Sequence, residues 1–238
     1  MDNPATQHPP RDNARDQTVE YYDRVAARYD EERFANAYGC YVDAQERRVL
    51  KRWLAGIQRG AVLDLACGTG RLLDLATHGL DASEEMVRVA RRKQPQKQVC
   101  CGRAEELAQL GIQFDAIFCL HLFMHLAPGQ IESILRACRG QLRPGGLFIF
   151  DAPSALRRNL TGFRPEGWHA ATALTLREVA SMSQDGWRRK SSRGILFFPI
   201  HRVPPAIRPL LRPCDDLIGM TPMKRLSSYV VYCLERKP

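Results

Sequence analysis

No run of this 238-residue sequence is apolar for long enough to cross a bilayer. The longest, Ile195 to Ile200, contains a proline and is far shorter than the ~20 residues a spanning helix needs. An apolar leader is missing too. MDNPATQHPPRDNARDQ is polar throughout, which argues against a secretory signal and makes residues 1–17 a disordered tail by expectation. Cysteine occurs eight times (40, 67, 100, 101, 119, 138, 214, 233), never as a CxxC pair. With several of them inside apolar runs, they read as reduced core thiols of a cytoplasmic protein, and no metal site is implied. There is no Gly-Lys-Ser or Gly-Lys-Thr, which excludes a phosphate-cradling loop. Internal repeats, low-complexity tracts and nucleic-acid modules are absent, so no nucleic-acid partner is expected.

What is present suits a single globular domain, with 45% hydrophobic and 26% charged residues. The charge is unevenly spread. Residues 1–155 hold 20 Lys and Arg against 20 Asp and Glu, whereas residues 156–238 hold 15 against 6. The whole net charge of +9 therefore lies in the last third. Arg188-Arg189-Lys190 and Arg193 precede an apolar GILFFPI run, and His201, Arg202, Arg208 and Arg212 alternate with Pro, Ile and Leu. Such a surface either keeps a protein soluble or faces something anionic: a membrane surface or a phosphorylated small molecule.

Hydrophobic spacing predicts a helix over Thr18–Ala35 and a second over Tyr41–Leu54. The period then shortens. Ala61–Ala66 is a strand running into Cys67-Gly68-Thr69-Gly70. A helix follows over Ser83–Arg92, with Ser83 as its N-cap and Glu84 and Glu85 complementing its dipole. Beyond it come a strand at Gln98–Cys101, a short helix at Ala104–Leu110 and a buried strand at Phe114–Leu120. Pro128–Leu142 is a helix opened by proline, and Leu147–Phe150 the next strand. After a polar linker, Leu174–Met182 is helical, and Gly194–Ile200 and Ser228–Glu235 are two late strands around a loose Pro/Arg segment. Trp187, Phe197 and Phe198 read as strand core. Alternating strands and helices imply a parallel sheet covered on both faces, ending as a mixed one.

In such a sheet, ligands bind beyond the carboxyl end of the first strand. Asp64-Leu65-Ala66-Cys67-Gly68-Thr69-Gly70 stands there. A dinucleotide fingerprint counted from Gly68 would need Gly or Ala at Leu73, and counted from Ala66 it meets Arg71, so neither frame fits.

The segment VLDLACGTG resembles the first motif of class I S-adenosylmethionine-dependent methyltransferases. Gly79 to Met86 resembles that family's second strand with its terminal acid, Phe114-Asp115-Ala116-Ile117 its fourth strand, and Leu142 to Gly146 the turn before its fifth. Tyr22-Asp23 through Tyr29-Asp30 is similar to the lid helix of its small-molecule members. The resemblance covers about residues 20 to 152. It implies a Rossmann-like three-layer α/β sandwich whose mainly parallel seven-stranded sheet carries an antiparallel C-terminal strand. By the same resemblance, residues 18–58 form lid helices, 59–152 the cofactor core and 153–238 the substrate side. The expected cofactor is S-adenosylmethionine, and the expected partner a small-molecule methyl acceptor.

The resemblance also assigns residues. Ala66, Gly68, Thr69 and Gly70 pack against the methionine and ribose, Asp64 lies near the ammonium, and Asp81 accepts from the ribose hydroxyls. Ala82 and Met86 lie against the adenine, with Arg103, Ala104 and Glu105 at its edge. Cys119 and Leu120 face the cofactor, and Tyr21 and Tyr29 reach it from the lid. His121 and His125, four residues apart, are the candidates for a catalytic base. Two features depart from the family. Only ten residues separate Gly70 from Asp81, too few for a full crossover helix, and Arg103 replaces the usual adenine-binding acid. A degenerate, non-catalytic relative and a nucleotide-dependent oxidoreductase are the alternative readings.

Overall fold

The computed structural model describes residues 11–57, 60–165 and 171–238. The expected tail lies outside the described residues up to position 10, and from Arg11 the chain is already helical. Helix α1 spans Arg11–Val25. A turn at Ala26–Arg28 separates it from α2 (Tyr29–Arg33), so the single expected lid helix is two. Helix α3 (Ala37–Leu54) starts earlier than its apolar spacing suggested. Its start is set by Asn36, whose side chain accepts from the backbone N–H of Tyr38 and Gly39.

The sheet then builds in order. Strand β1 is Val62–Leu65, β2 is His78–Asp81, and between them the short crossover forms one 3-10 turn at Leu73–Leu75. The fully buried Leu73 takes the place of a helix, wedged against Gly70 and Gly79. Helix α4 (Glu84–Lys93) begins at Ser83, which accepts from the Met86 N–H. After β3 (Gln98–Cys101) and a 3-10 helix at Ala104–Leu110 come β4 (Phe114–Cys119), α5 (Pro128–Gln141) and β5 (Leu142–Pro153). The segment expected to be a linker contains α6 (Ala155–Thr161). Helix α7 is Leu176–Met182, β6 Trp187–Ile195, α8 Arg208–Ile218 and β7 Tyr229–Arg236.

The strands lie in the order β3-β2-β1-β4-β5-β7-β6. All pairs from β3 to β5 are parallel, and β7 runs antiparallel to both β5 and β6. One face is covered by α5, α7 and the 104–110 turn, where Phe123, Phe150 and Tyr232 form a stacked row at 4.6 and 5.2 Å. The other face is covered by α3 and α4. Among the described residues no helix is long and apolar enough to cross a membrane.

The late strand is placed differently from expectation. Arg188, Arg189 and Lys190 lie within edge strand β6, and Phe197 and Phe198 lie beyond it, so only Trp187 of the three aromatics is strand core. Side chains outside the sheet capture the backbone after Ile195. The Leu196 N–H donates to Gln45 Oε1 (3.0 Å) and the Phe197 N–H to Asp215 Oδ1 (2.9 Å). The Pro/Arg segment forms α8 because Asp215 and Asp216 point inward, accepting from Tyr41 Oη (3.0 Å) and from Gln45 and Arg48 on α3. Of the eight cysteines, 67, 119, 138 and 233 are buried, but 40, 100, 101 and 214 are exposed and are not core thiols.

Candidate active site

The carboxyl ends of β1, β2 and β4 meet at the glycine turn. Ala66 (φ 58°), Gly68 (φ 53°) and Gly70 (φ 78°) all adopt left-handed backbone, which folds the chain sharply away from β1. A methyl group on Gly68 would meet nothing within 4 Å, so that face of the turn is open to an approaching ligand. On Gly70 it would come within 2.7 Å of Leu73 and 3.2 Å of Ala90, so this glycine is required for packing against α4.

Two carboxylates flank the turn. Asp64 is 4% exposed, and among the described residues its carboxylate accepts no hydrogen bond. Burial pushes its pKa well above the usual carboxylate range, with Arg71 pulling the other way. Asp81 ends β2 and accepts from the N–H groups of Gly68 (2.7 Å) and Ser83 (2.9 Å). Burial raises its pKa also, and those two N–H groups oppose the rise.

The lid closes over this ground through acids. Ser83 Oγ donates to Asp23 Oδ1 (2.5 Å), Thr69 Oγ1 donates to Asp30 Oδ1 (2.5 Å), and Lys93 pairs with Asp30. Tyr22 packs edge-on against Tyr29 at 5.9 Å and shares a 3.1 Å hydrogen bond with His125 Nε2. Tyr21 accepts from Arg33 (3.3 Å), and it is Tyr22 that lines the neighbouring cavity. Met86 is 1% exposed and belongs to the core, while Ala82 is half-buried. Arg103, Ala104 and Glu105 stand half-buried at the mouth of the 104–110 turn, where Glu106 accepts from the Arg103 N–H (3.3 Å). Cys119 and Leu120 are buried, and burial raises the Cys119 thiol pKa well above its ordinary value.

His121 and His125 do not share a helical face. His121 closes β4 with a left-handed φ of 63°, and His125 lies in a 3-10 turn at Phe123–His125. The His121 Nε2–H donates to Glu46 (2.6 Å) and its backbone N–H to Asp151 (2.7 Å). Its Nδ1 faces the second Asp151 oxygen at 3.6 Å, an atom with no hydrogen bond of its own. Burial disfavours the imidazolium, yet Glu46 and Asp151 outweigh it and hold the pKa above the ordinary value. Burial would raise Glu46, but His121 and Arg71 bring it down to about 2. Arg71 completes the chain with bonds to Glu46 (2.6 Å) and Asp43 (2.5 Å). His121 thus links α3 to the end of β5 and, through Glu46, to Arg71 of the glycine loop.

Sequence reasoning overlooked Glu46, Asp43, Asp151 and Arg71. The apolar spacing of α3 assigns Asp43 and Glu46 no role, and only folding brings them onto Arg71 of the glycine loop. Asp151 at the end of β5 was the available signal, since acids at the carboxyl ends of parallel strands point at the ligand crevice. Beside this network lies a cavity of about 380 Å³, walled by Tyr22, Tyr29, His121, His125, Arg157 and Tyr229 among others.

An acid-ended strand, a left-handed glycine turn and a second acid, carried on this strand order with β7 reversed, define a cofactor-binding α/β methyltransferase fold. Residues 62–146 match the methyltransferase domain family. A ubiquinone biosynthesis O-methyltransferase of Coxiella burnetii is 32% identical over 112 residues, 43% of this chain and 46% of that one. An uncharacterized protein of Methanocaldococcus jannaschii is 33% identical over 133 residues, 55% of this chain and 49% of that one. The chain spans about half the length of these curated relatives. Two solved structures share the fold: an S-adenosylmethionine-dependent methyltransferase of Thermotoga maritima (TM-score 0.66, 18% identity, 92% of this chain and 99% of that one) and the magnesium protoporphyrin IX methyltransferase of Synechocystis (0.65, 16%, 94% and 100%). Residues 62–146 thus carry a methyltransferase domain, on a fold that the chain shares with S-adenosylmethionine-dependent methyltransferases.

The residues present fit the family's cofactor. Its sulfonium and ammonium are cationic, and the turn offers the unpartnered buried carboxylate of Asp64. The same acids make a poor seat for the pyrophosphate of a dinucleotide.

Proposed function

We propose that this protein transfers the methyl group of S-adenosylmethionine to a small molecule held in the 380 Å³ cavity. The unpartnered Asp64 carboxylate beside the open face of Gly68 carries the reading. Asp64 and Asp81 hold the cofactor's cationic and ribose ends, and the 66–70 turn lets backbone approach it. When bound, the cofactor supplies an electrophilic methyl group on a sulfonium. Displacement there needs alignment above all, which the lid tyrosines and the cavity walls provide. His121 is a positioning residue. His125, paired with Tyr22 at the cavity wall, accepts the proton that a hydroxyl or amine acceptor releases.

The cavity volume suits a metabolite rather than a macromolecule. From the basic last third, Arg157 and Arg158 line it, whereas Arg202 and Arg208 do not. Neither Arg33 nor Arg157 has a carboxylate partner among the described residues, which favours an acceptor bearing a negative group.

Calorimetry with S-adenosylhomocysteine tests the cofactor site. Asp81→Ala is expected to weaken binding at least tenfold, and NADH is expected not to bind. Binding indifferent to that substitution, or absent from the unaltered protein, overturns the reading. Release of labelled methyl into cell-extract acceptors then separates an enzyme from a non-catalytic binder.

A further inference from the structure

Helix α8 is built inside out. Its buried face carries Asp215 and Asp216, at 0% and 6% exposure, held by Tyr41, Gln45 and Arg48. Its outward face is apolar: Ile207, just before the helix, Leu210 and Leu217 follow one another at helical spacing and are 46%, 74% and 62% exposed. Met220 and Met223, just past the helix, are also exposed, at 49% and 46%. Ordinary surface helices are arranged the other way, and scattered single apolar residues would need no explanation.

The pattern extends to the neighbouring elements. Of the nine large hydrophobic side chains exposed among the described residues, all but Tyr38 fall between Leu156 and Met223. The same third of the chain holds the whole net charge of +9. From residue 186 to residue 234 the only acids are Asp215 and Asp216, both buried, so every charge that this stretch presents to solvent is positive. Arg202, ahead of α8 in the chain, and Arg225, after it, are both exposed.

We infer that the face formed by Ile207, Leu210 and Leu217 lies on the surface of an anionic lipid bilayer. Apolar side chains enter the headgroup boundary while Arg202 and Arg225 meet the negative surface charge. Charge complementarity selects this occupant, because a second copy of the chain would bring like charges together around the same apolar strip. The inference stands apart from the methyl-transfer reading and does not need it.

Co-sedimentation with vesicles at 0.1 M salt tests it. Vesicles of phosphatidylcholine with phosphatidylglycerol are expected to carry down most of the protein, and phosphatidylcholine alone at least tenfold less. Raising salt to 1 M shortens the Debye length from ~10 Å to ~3 Å and is expected to release the protein. Leu210→Asp with Leu217→Asp, and separately Arg202→Glu with Arg225→Glu, are each expected to lower binding at least tenfold with unchanged circular dichroism. No sedimentation with the anionic vesicles, or sedimentation that ignores both variants, overturns the inference. So does an unaltered protein that is dimeric by light scattering, becomes monomeric with the leucine variant, and fails to bind vesicles.

Discussion

At the scale of single residues, His121 shows how a functional-looking side chain is diverted. Its spacing to His125 made the two candidates for a catalytic base, yet Glu46 and Asp151 engage its ring and raise its pKa above the ordinary value. The link has a pH signature. His121 has a raised folded pKa, so its contribution to stability is full below about 6.5 and lost as pH climbs through the raised value. Glu46 has a lowered one, so its contribution is full above about 4.5 and lost as pH falls toward about 2. His121→Gln is expected to cost about 1–3 kcal/mol near neutrality, because it leaves the buried Asp151 without its facing charge. Thermal melts are expected to lose their decline above about pH 6.5 in that variant. An unchanged pH profile shows that His121 is not the titrating link.

At the scale of elements, the two glycines of the turn have different tasks. Gly70→Ala forces a left-handed alanine into Leu73 and Ala90 and is expected to cost about 3 kcal/mol in denaturant melts. Gly68→Ala meets no atom within 4 Å and costs only the backbone strain, about 1 kcal/mol. Its methyl group instead occupies the face offered to the cofactor, so S-adenosylhomocysteine affinity is expected to fall at least tenfold while the fold persists. Wild-type affinity in Gly68→Ala shows that the ligand does not approach that face. The short crossover, legible from ten residues between Gly70 and Asp81, is accommodated because Leu73 fills the space a helix would cover. Helices α6 and α8 were not legible. Their apolar residues face outward, so periodicity gave no inward stripe to find.

At the scale of the whole molecule, the polar links between lid and core among the described residues include Asp23 to Ser83 and Glu85, Asp30 to Thr69 and Lys93, and Tyr22 to His125. Such an element opens with a free energy well below that of global unfolding. Asp23→Asn with Asp30→Asn is expected to speed hydrogen exchange across residues 18–35 about tenfold and leave β4 and β5 unchanged. S-adenosylhomocysteine is expected to slow exchange in the same segment. If lid and sheet exchange together in both proteins, the lid is no separate unit.

The sequence by itself determined the class of fold, six of the seven strands in approximate place, the glycine turn and its two acids. These are local matters: apolar period, turn chemistry and strand-end acids are written within a few neighbouring residues. Only the tertiary structure decided that α3 supplies Asp43 and Glu46 to the glycine loop, that His121 is engaged on both sides, and that α8 shows its apolar face to solvent. These depend on contacts between residues 25 to 174 positions apart. A helix shows where its charges lie around its own axis; which charge meets a partner is settled only when another element packs against it.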